Sequence, residues 1–365
     1  MSGLPPLKIQ ELEVKIPIIQ GGMGVGISLS GLASAVANAG GVGVISAAEI
    51  GMIYEEDFMR NPQQTNRRAL IDEIERARQK APNGVIGVNI MVAMTEFYQL
   101  CEVAIESKVD IIFAGAGLPL GIPFEKLRSS HTKFSVIVSS ARATTLIFRY
   151  WDRHYRDIPD MVVVEGPKAG GHLGFKPEEI DDPSFALERI TPPIIEAVKP
   201  FEKKYGKKVP VVAAGGIYTG EDIYYFMNEI GTDGVQMATR FVATHECDAD
   251  IKFKEAYLKA KKEDVVIIKS PVGLPGRAIK NKFLEDVWLG KRQPFKCIWQ
   301  CLKGCDYKRA PYCITQALVN AKKGRFAGGF AFAGANVYRV NKIVSVQELM
   351  DELVEGYIKA AKSHS

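Results

Sequence analysis

Eight short apolar runs, most of them rich in β-branched residues, recur between Ile16 and Thr239, at residues 16–20, 41–45, 85–90, 110–114, 134–139, 161–165, 209–214 and 234–237. Longer segments with polar positions at helical spacing separate them, clearest at 67–80, 96–107, 141–154, 190–205 and 220–230. A strand followed by a helix, repeated, is the pattern of βα units around a parallel sheet. Eight such strands favour an α/β fold of the closed (β/α)8 barrel kind over an open doubly wound sheet, because closure leaves no unpaired edge. An open sheet would want a GxGxxG turn after its first strand and an acidic residue about twenty positions later. Residues 21–26, GGMGVG, supply the glycines, but the acidic residue would be Glu49, in an irregular segment beyond the second strand.

The alternation stops after Thr244, so the 365-residue chain divides into a barrel over 1–244, a lid or substrate subdomain over 245–343 and a closing helix over 344–365. The middle part opens with a Lys-rich helix near 251–262, followed by SPVGLPGRAIKNKFL and a cysteine-rich stretch. The closing helix sets Leu349, Leu353 and Ile358 near one side, suited to packing back on the barrel. Lys and Arg total 47 against 42 Asp and Glu, a net +5 spread along the chain, so no nucleic-acid partner is expected. The N-terminus carries two prolines and no apolar run of secretory or spanning length, so the expectation is a cytoplasmic protein with no membrane partner. In that compartment the six cysteines are expected to be thiols.

Barrel chemistry lies at the C-terminal ends of the strands. Here these ends are rich in glycine: QGGMG at 20–24, AGAG at 114–117, EGPKAGGHLG at 165–174 and AAGGI at 213–217. Glycines at four strand ends imply backbone approaching a flat or phosphorylated ligand. Gly215 and Gly216, followed by Thr219, Gly220 and a helix, make a phosphate cradle, and Thr239 and Arg240 after the eighth run are placed to complete it. Of five histidines only His172 lies in a glycine-rich loop at a catalytic strand end, which makes it the acid–base candidate. Asn89, Gln20 and Gln236 are amides able to hydrogen-bond a heterocycle edge from the barrel mouth. Cys297, Cys301 and Cys305, spaced four apart, read as a stripe of small buried thiols on one helix, with Cys313 eight further on. No CxxC is present, and no metal is expected.

Taken together, PIIQGGMG at 17–24, GVNI at 87–90, AGAG at 114–117, AGGHLG at 169–174, AAGGI at 213–217 and VQMATRF at 235–241 resemble the nitronate monooxygenase family, formerly the 2-nitropropane dioxygenases, which includes flavin-type enoyl-ACP reductases. The resemblance covers nearly the whole chain, with the motifs in the family's order. It implies an FMN cofactor, contacted by Gly22, Met23, Asn89, Gly171, Gly215, Gly216, Gln236 and Thr239, with His172 as the active-site histidine. Ala238 departs from the glycine common in relatives before that threonine. The implied reaction is oxidation of a nitronate to a carbonyl compound and nitrite; the alternative is NAD(P)H-dependent reduction of an enoyl thioester carried on an acyl carrier protein, or of a quinone. A small-molecule substrate is implied either way, and a homodimer is compatible with both.

Overall fold

In a computed structural model, which describes residues 3–364, the eight runs form eight strands. They are Ile18–Gln20, Val42–Ser46, Val85–Met91, Ile111–Gly115, Lys133–Val138, Met161–Glu165, Val211–Ala214 and Gly234–Met237. Each pairs in parallel with the next, and Gly234–Met237 pairs with Ile18–Gln20 to close the barrel. The expected (β/α)8 barrel is therefore the fold, with every strand end within two residues of its run.

These strands are apolar along their whole length because both faces are buried. Ile19, Val42, Val44, Ile111, Phe113, Met161, Val163 and Val212 fill the barrel interior, while Ile18, Ile45, Ile86, Val88, Ile112, Val162 and Val235 face outward beneath the helices. An antiparallel hairpin, Leu7–Ile9 with Leu12–Val14, adds Leu7, Ile9 and Val14 to the interior cluster. It plugs the end where the strands begin, held there by Glu11 on Lys133 and by the Gln10 amide donating to the Lys208 carbonyl. The opposite end is left open for a ligand.

Helices Pro62–Lys80, Phe97–Glu106, Ala141–Tyr155 and Leu187–Tyr205 stand where the helical spacing placed them, and Ser30–Asn38 and Phe124–Arg128 complete the ring on that side. Helix Gly220–Tyr224 runs on as a π-helical turn, Tyr225–Ile230. After the eighth strand only one helical turn follows, Thr239–Val242. The chain then leaves for about a hundred residues and returns as helix Val346–Ser363, capped by Ser345 and Glu348. That helix packs on Gly220–Tyr224 and on Ser30–Asn38, which is the place of the barrel's eighth helix.

Residues 245–343 pass over the C-terminal strand ends. They contain helices Ile251–Lys259, Lys282–Trp288 and Ile314–Lys322 and an antiparallel hairpin, Val265–Lys269 with Pro275–Ile279. The hairpin has a third strand in Gly171–His172, pairing Gly276 with His172 and Arg277 with Gly171.

The cysteine stripe is corrected. Cys297, Cys301 and Cys305 lie in irregular chain, and Cys313 caps helix Ile314–Lys322. Pro294, Gly304 and Pro311 interrupt any helix there, and the backbone bonds outward instead: Thr95 donates to the Cys301 carbonyl at 2.9 Å and Lys303 to the Ala93 carbonyl at 2.9 Å. All six cysteines are free thiols. Among the described residues no helix is long and apolar enough to cross a membrane.

Candidate active site

A cavity of about 570 Å³ opens at the C-terminal ends of the strands, roofed by Leu274, Leu302, Ile314 and Phe332 from the segment after the barrel. Gly22, Met23, Asn89, Gly171, His172, Gly215, Gly216, Gln236 and Thr239 all line it. Eight barrel strands and a shared roof thus bring together residues spread over more than two hundred positions.

The anion cradle is formed by backbone. Gly215 and Gly216 both have φ +97°, a left-handed conformation open to glycine at no steric cost. Among the described residues no acceptor is set against their N–H groups or that of Thr239, so successive amides are free to bind an anion. The Asn336 side-chain amide donates to the Gly216 carbonyl at 2.6 Å, and the Thr239 hydroxyl accepts from the Gly334 amide at 3.1 Å, so the roof braces both halves.

Arg240 does not join them. Its guanidinium donates to the Tyr218 carbonyl at 3.0 Å and to Glu352 at 2.8 Å and stacks on the Tyr218 ring, outside this cavity. The cation beside the cradle is Lys168, which lines the cavity and packs against Gly216. Gln20 is also removed from the site. It is wholly buried, donates to the Gly21 carbonyl and accepts from the Val44 amide at 2.9 Å, so the backbone absorbs it. Asn89 backs onto Gly22 and donates to the Phe113 carbonyl at 3.2 Å, which fixes one wall.

His172 is held by the hairpin. Leu173 donates to the Pro275 carbonyl at 2.9 Å, the His172 Nε2 lies 2.7 Å from the Ser270 hydroxyl, and the Phe332 ring meets the imidazole edge-on at 5.1 Å. Arg277, buried, donates to the carbonyls of Pro167 and Ala169 and so ties down the loop leading to His172. Burial lowers the imidazole pKa to about 4, leaving it neutral at pH 7. Two carboxyls on the same cavity move the other way by burial, Glu165 to about 7 and Glu49 to about 8.

Sequence reasoning missed Lys168, Ser270, Arg277 and Asn336. Two apolar runs, VVIIK and PGRAI, flanking a Ser-Pro-Val-Gly turn were the available signal for the hairpin that carries Ser270 and Arg277.

A (β/α)8 barrel with an anion cradle on its last two strands and a neutral histidine at its mouth has the architecture of a barrel enzyme. The model of the nitronate monooxygenase family matches residues 6–356, and the chain belongs to that family of oxidoreductases. It is 28% identical over 295 residues to a probable nitronate monooxygenase of Staphylococcus saprophyticus, covering 75% of this chain and 78% of that one. A probable nitronate monooxygenase of Staphylococcus aureus is 25% identical over 315 residues. Among solved structures, FabK from Thermotoga maritima superposes with a TM-score of 0.74 at 25% identity, covering 96% of this chain and 95% of that one. A nitroalkane oxidase from Streptomyces ansochromogenes shares the fold, with a TM-score of 0.72 at 22% identity and coverage of 96% and 98%.

Proposed function

We propose that the chain is an FMN-dependent nitronate monooxygenase, oxidising alkyl nitronates with oxygen to a carbonyl compound and nitrite. The observation that carries this reading is the pair of left-handed glycines with open amides facing the same cavity as a half-buried, neutral His172. The residues fit the cofactor: the amides of Gly215, Gly216 and Thr239 with Lys168 suit its phosphate, and Gly22, Met23, Asn89, Gly171 and Gln236 suit the edge of its ring. FMN, when bound, supplies the electron acceptor and the reaction with oxygen.

The chain's own part is to bind, orient and keep out water. Leu274, Leu302, Ile314 and Phe332 roof the cavity against solvent. His172, kept neutral by burial and oriented by Ser270, holds the anionic substrate by a hydrogen bond. An imidazole with so low a pKa is a weak base toward a carbon acid. A nitronate, already deprotonated, is therefore the better substrate than its neutral nitroalkane.

The test is anaerobic reduction of the flavin, with propionate 3-nitronate in one cuvette and NADH or NADPH in another. Bleaching by nitronate, lost in a His172→Asn variant that still binds FMN, supports the reading. The likeness to FabK, an enoyl-ACP reductase, favours a second one, in which NAD(P)H is the donor and an enoyl thioester on an acyl carrier protein the acceptor. Bleaching by the pyridine nucleotide with little response to nitronate would replace the first reading by the second.

A further inference from the structure

The two turns that carry the anion cradle run on into a second cavity. Tyr218 follows shortly after Gly216, and Arg240 directly after Thr239; with Arg339, Asn341, Lys342 and Glu352 they line a space of about 310 Å³. Tyr218 lines both cavities, so a single residue forms the wall between them. The floor is apolar: Tyr218, Ala243 and Val340 pack as a small buried cluster of their own.

The charges around this floor do not balance. The guanidinium carbons of Arg240 and Arg339 lie 4.6 Å and 4.2 Å from the centre of the same Tyr218 ring, so two like charges are held against one side chain. That is a repulsion which a bound anion relieves. Arg240 has only 11% of its side chain exposed and pairs with Glu352 at 2.8 Å. Arg339 is exposed, and among the described residues its guanidinium has no hydrogen-bond or carboxylate partner. Lys342 faces Glu348, whose carboxylate already accepts from the Ser345 amide and hydroxyl. Three cations and one carboxylate therefore line the cavity, an excess of two positive charges. A carboxylate ligand would neutralise half of that excess, whereas a phosphate monoester carries nearly two negative charges and offers the paired oxygens that a guanidinium fork grips.

The cavity is tied to the cradle by short stretches of chain. Val337–Arg339 is a 3-10 turn in which the Val337 amide donates to the Gly334 carbonyl and the Arg339 amide to the Asn336 carbonyl, each at 3.1 Å. Gly334 and Asn336, at the other end of that turn, are the residues that brace Thr239 and Gly216. A ligand held by Arg240 and Arg339 thus acts on both halves of the cradle through residues adjacent in the chain.

We propose that this second cavity binds a phosphate group, free or carried on a nucleotide, gripped by the Arg339 fork with Arg240 and Lys342 beside it, and that its occupation steadies the cradle on the far side of Tyr218. The site stands on its own lining; its effect on the cradle rests on the flavin reading above.

The test is calorimetric titration of the flavin-loaded protein with inorganic phosphate and, separately, with AMP, at an ionic strength held constant with chloride. Saturable binding is expected, weakened at least about tenfold in Arg339→Gln and less in Arg339→Lys, which keeps the charge and loses the fork. Tighter binding of AMP than of phosphate makes a nucleotide the source of the group; equal binding makes it phosphate itself. Flavin release on dilution, followed by flavin fluorescence, should slow roughly fivefold at saturating phosphate in the wild type and stay unchanged in Arg339→Gln. Absence of saturable binding, or equal binding in Arg339→Gln, overturns the site, and binding without an effect on release overturns its link to the cradle. If the protein takes up no flavin even when FMN is added, the FMN reading falls on its own, and the same titrations of wild type and Arg339→Gln still judge the phosphate site.

Discussion

Burial at the barrel mouth moves protons in opposite directions on its acids and its histidine, and this has a sign that stability can report. Glu49 and Glu165, raised to about 8 and about 7 from 4.5, hold protons in the native state that the unfolded chain has released. Their contribution is full below about pH 4.5 and is lost as pH rises through 7 to 8. His172, lowered to about 4 from 6.5, acts the other way, and stability is lost as pH falls through that range. Of these three groups only the carboxyls lose protons in the folded chain above about pH 6.5, so the Tm should fall between there and pH 8, and a Glu49→Gln, Glu165→Gln double variant should flatten the fall. An equal slope in both proteins, followed by circular dichroism, would mean that folding leaves the two carboxyls near their ordinary pKa. The cradle gives a second prediction at this scale. An alanine at Gly216 would sit at φ +97° with its Cβ 2.9 Å from that of Lys168, costing about 1–3 kcal/mol. The flavin content of purified Gly216→Ala should fall several-fold. That His172 and the glycines share one cavity was legible in the sequence because it follows from their strand-end position. Arg240 was misplaced because a position after a strand does not fix where a long side chain goes, and Tyr218 and Glu352 draw it outward.

Among elements, those with a strong period of their own were readable, and those made by a neighbour were not. The barrel strands and helix Ala141–Tyr155 carry their pattern locally. The cysteine segment takes its shape from the backbone of Ala93 and Thr95, two hundred residues earlier, so four-residue spacing misled. The hairpin Val265–Lys269 with Pro275–Ile279 is completed by two residues of the sixth-strand loop, and Gly171 and His172 have no strand pattern by themselves. That pairing makes the hairpin the scaffold of His172, with Arg277 as the tie. Replacing Arg277 by methionine leaves two buried carbonyls without their donor, at about 1–3 kcal/mol each. On the proposed reading, Arg277→Met should retain flavin, because the proposed cradle lies on other strands, and should slow reduction of that flavin by more than tenfold in stopped-flow absorbance. Loss of flavin with no change in rate per flavin would instead make Arg277 part of the cofactor site.

On the scale of the whole molecule, the barrel is not complete until the chain has made its excursion over the mouth and come back. Helix Val346–Ser363 puts Leu349, Met350, Leu353 and Tyr357 into the same core as Leu32 and Val36 of helix Ser30–Asn38. The sequence showed the amphipathic face of that helix, but not that it serves as the eighth helix, because its contacts lie about three hundred positions away at one side. Its other neighbour meets it through Gly220, where an added Cβ would lie 2.3 Å from the Tyr357 amide nitrogen and 2.4 Å from the Leu353 carbonyl. Gly220→Ala must push the two helices apart, which costs about 1–3 kcal/mol for overpacking of this kind. Because the helix shares one core with the strands, that loss should appear as a lower melting temperature for the whole protein rather than as early release of the C-terminus. Trp151 is buried beneath the opposite side of the barrel, and Trp288 and Trp299 belong to the excursion, so fluorescence and far-ultraviolet dichroism sample different parts. Coincident transitions, both shifted down in Gly220→Ala, are expected of a barrel closed by its last helix. Separation of the two curves would show that the helix docks as an independent unit and that the barrel stands without it.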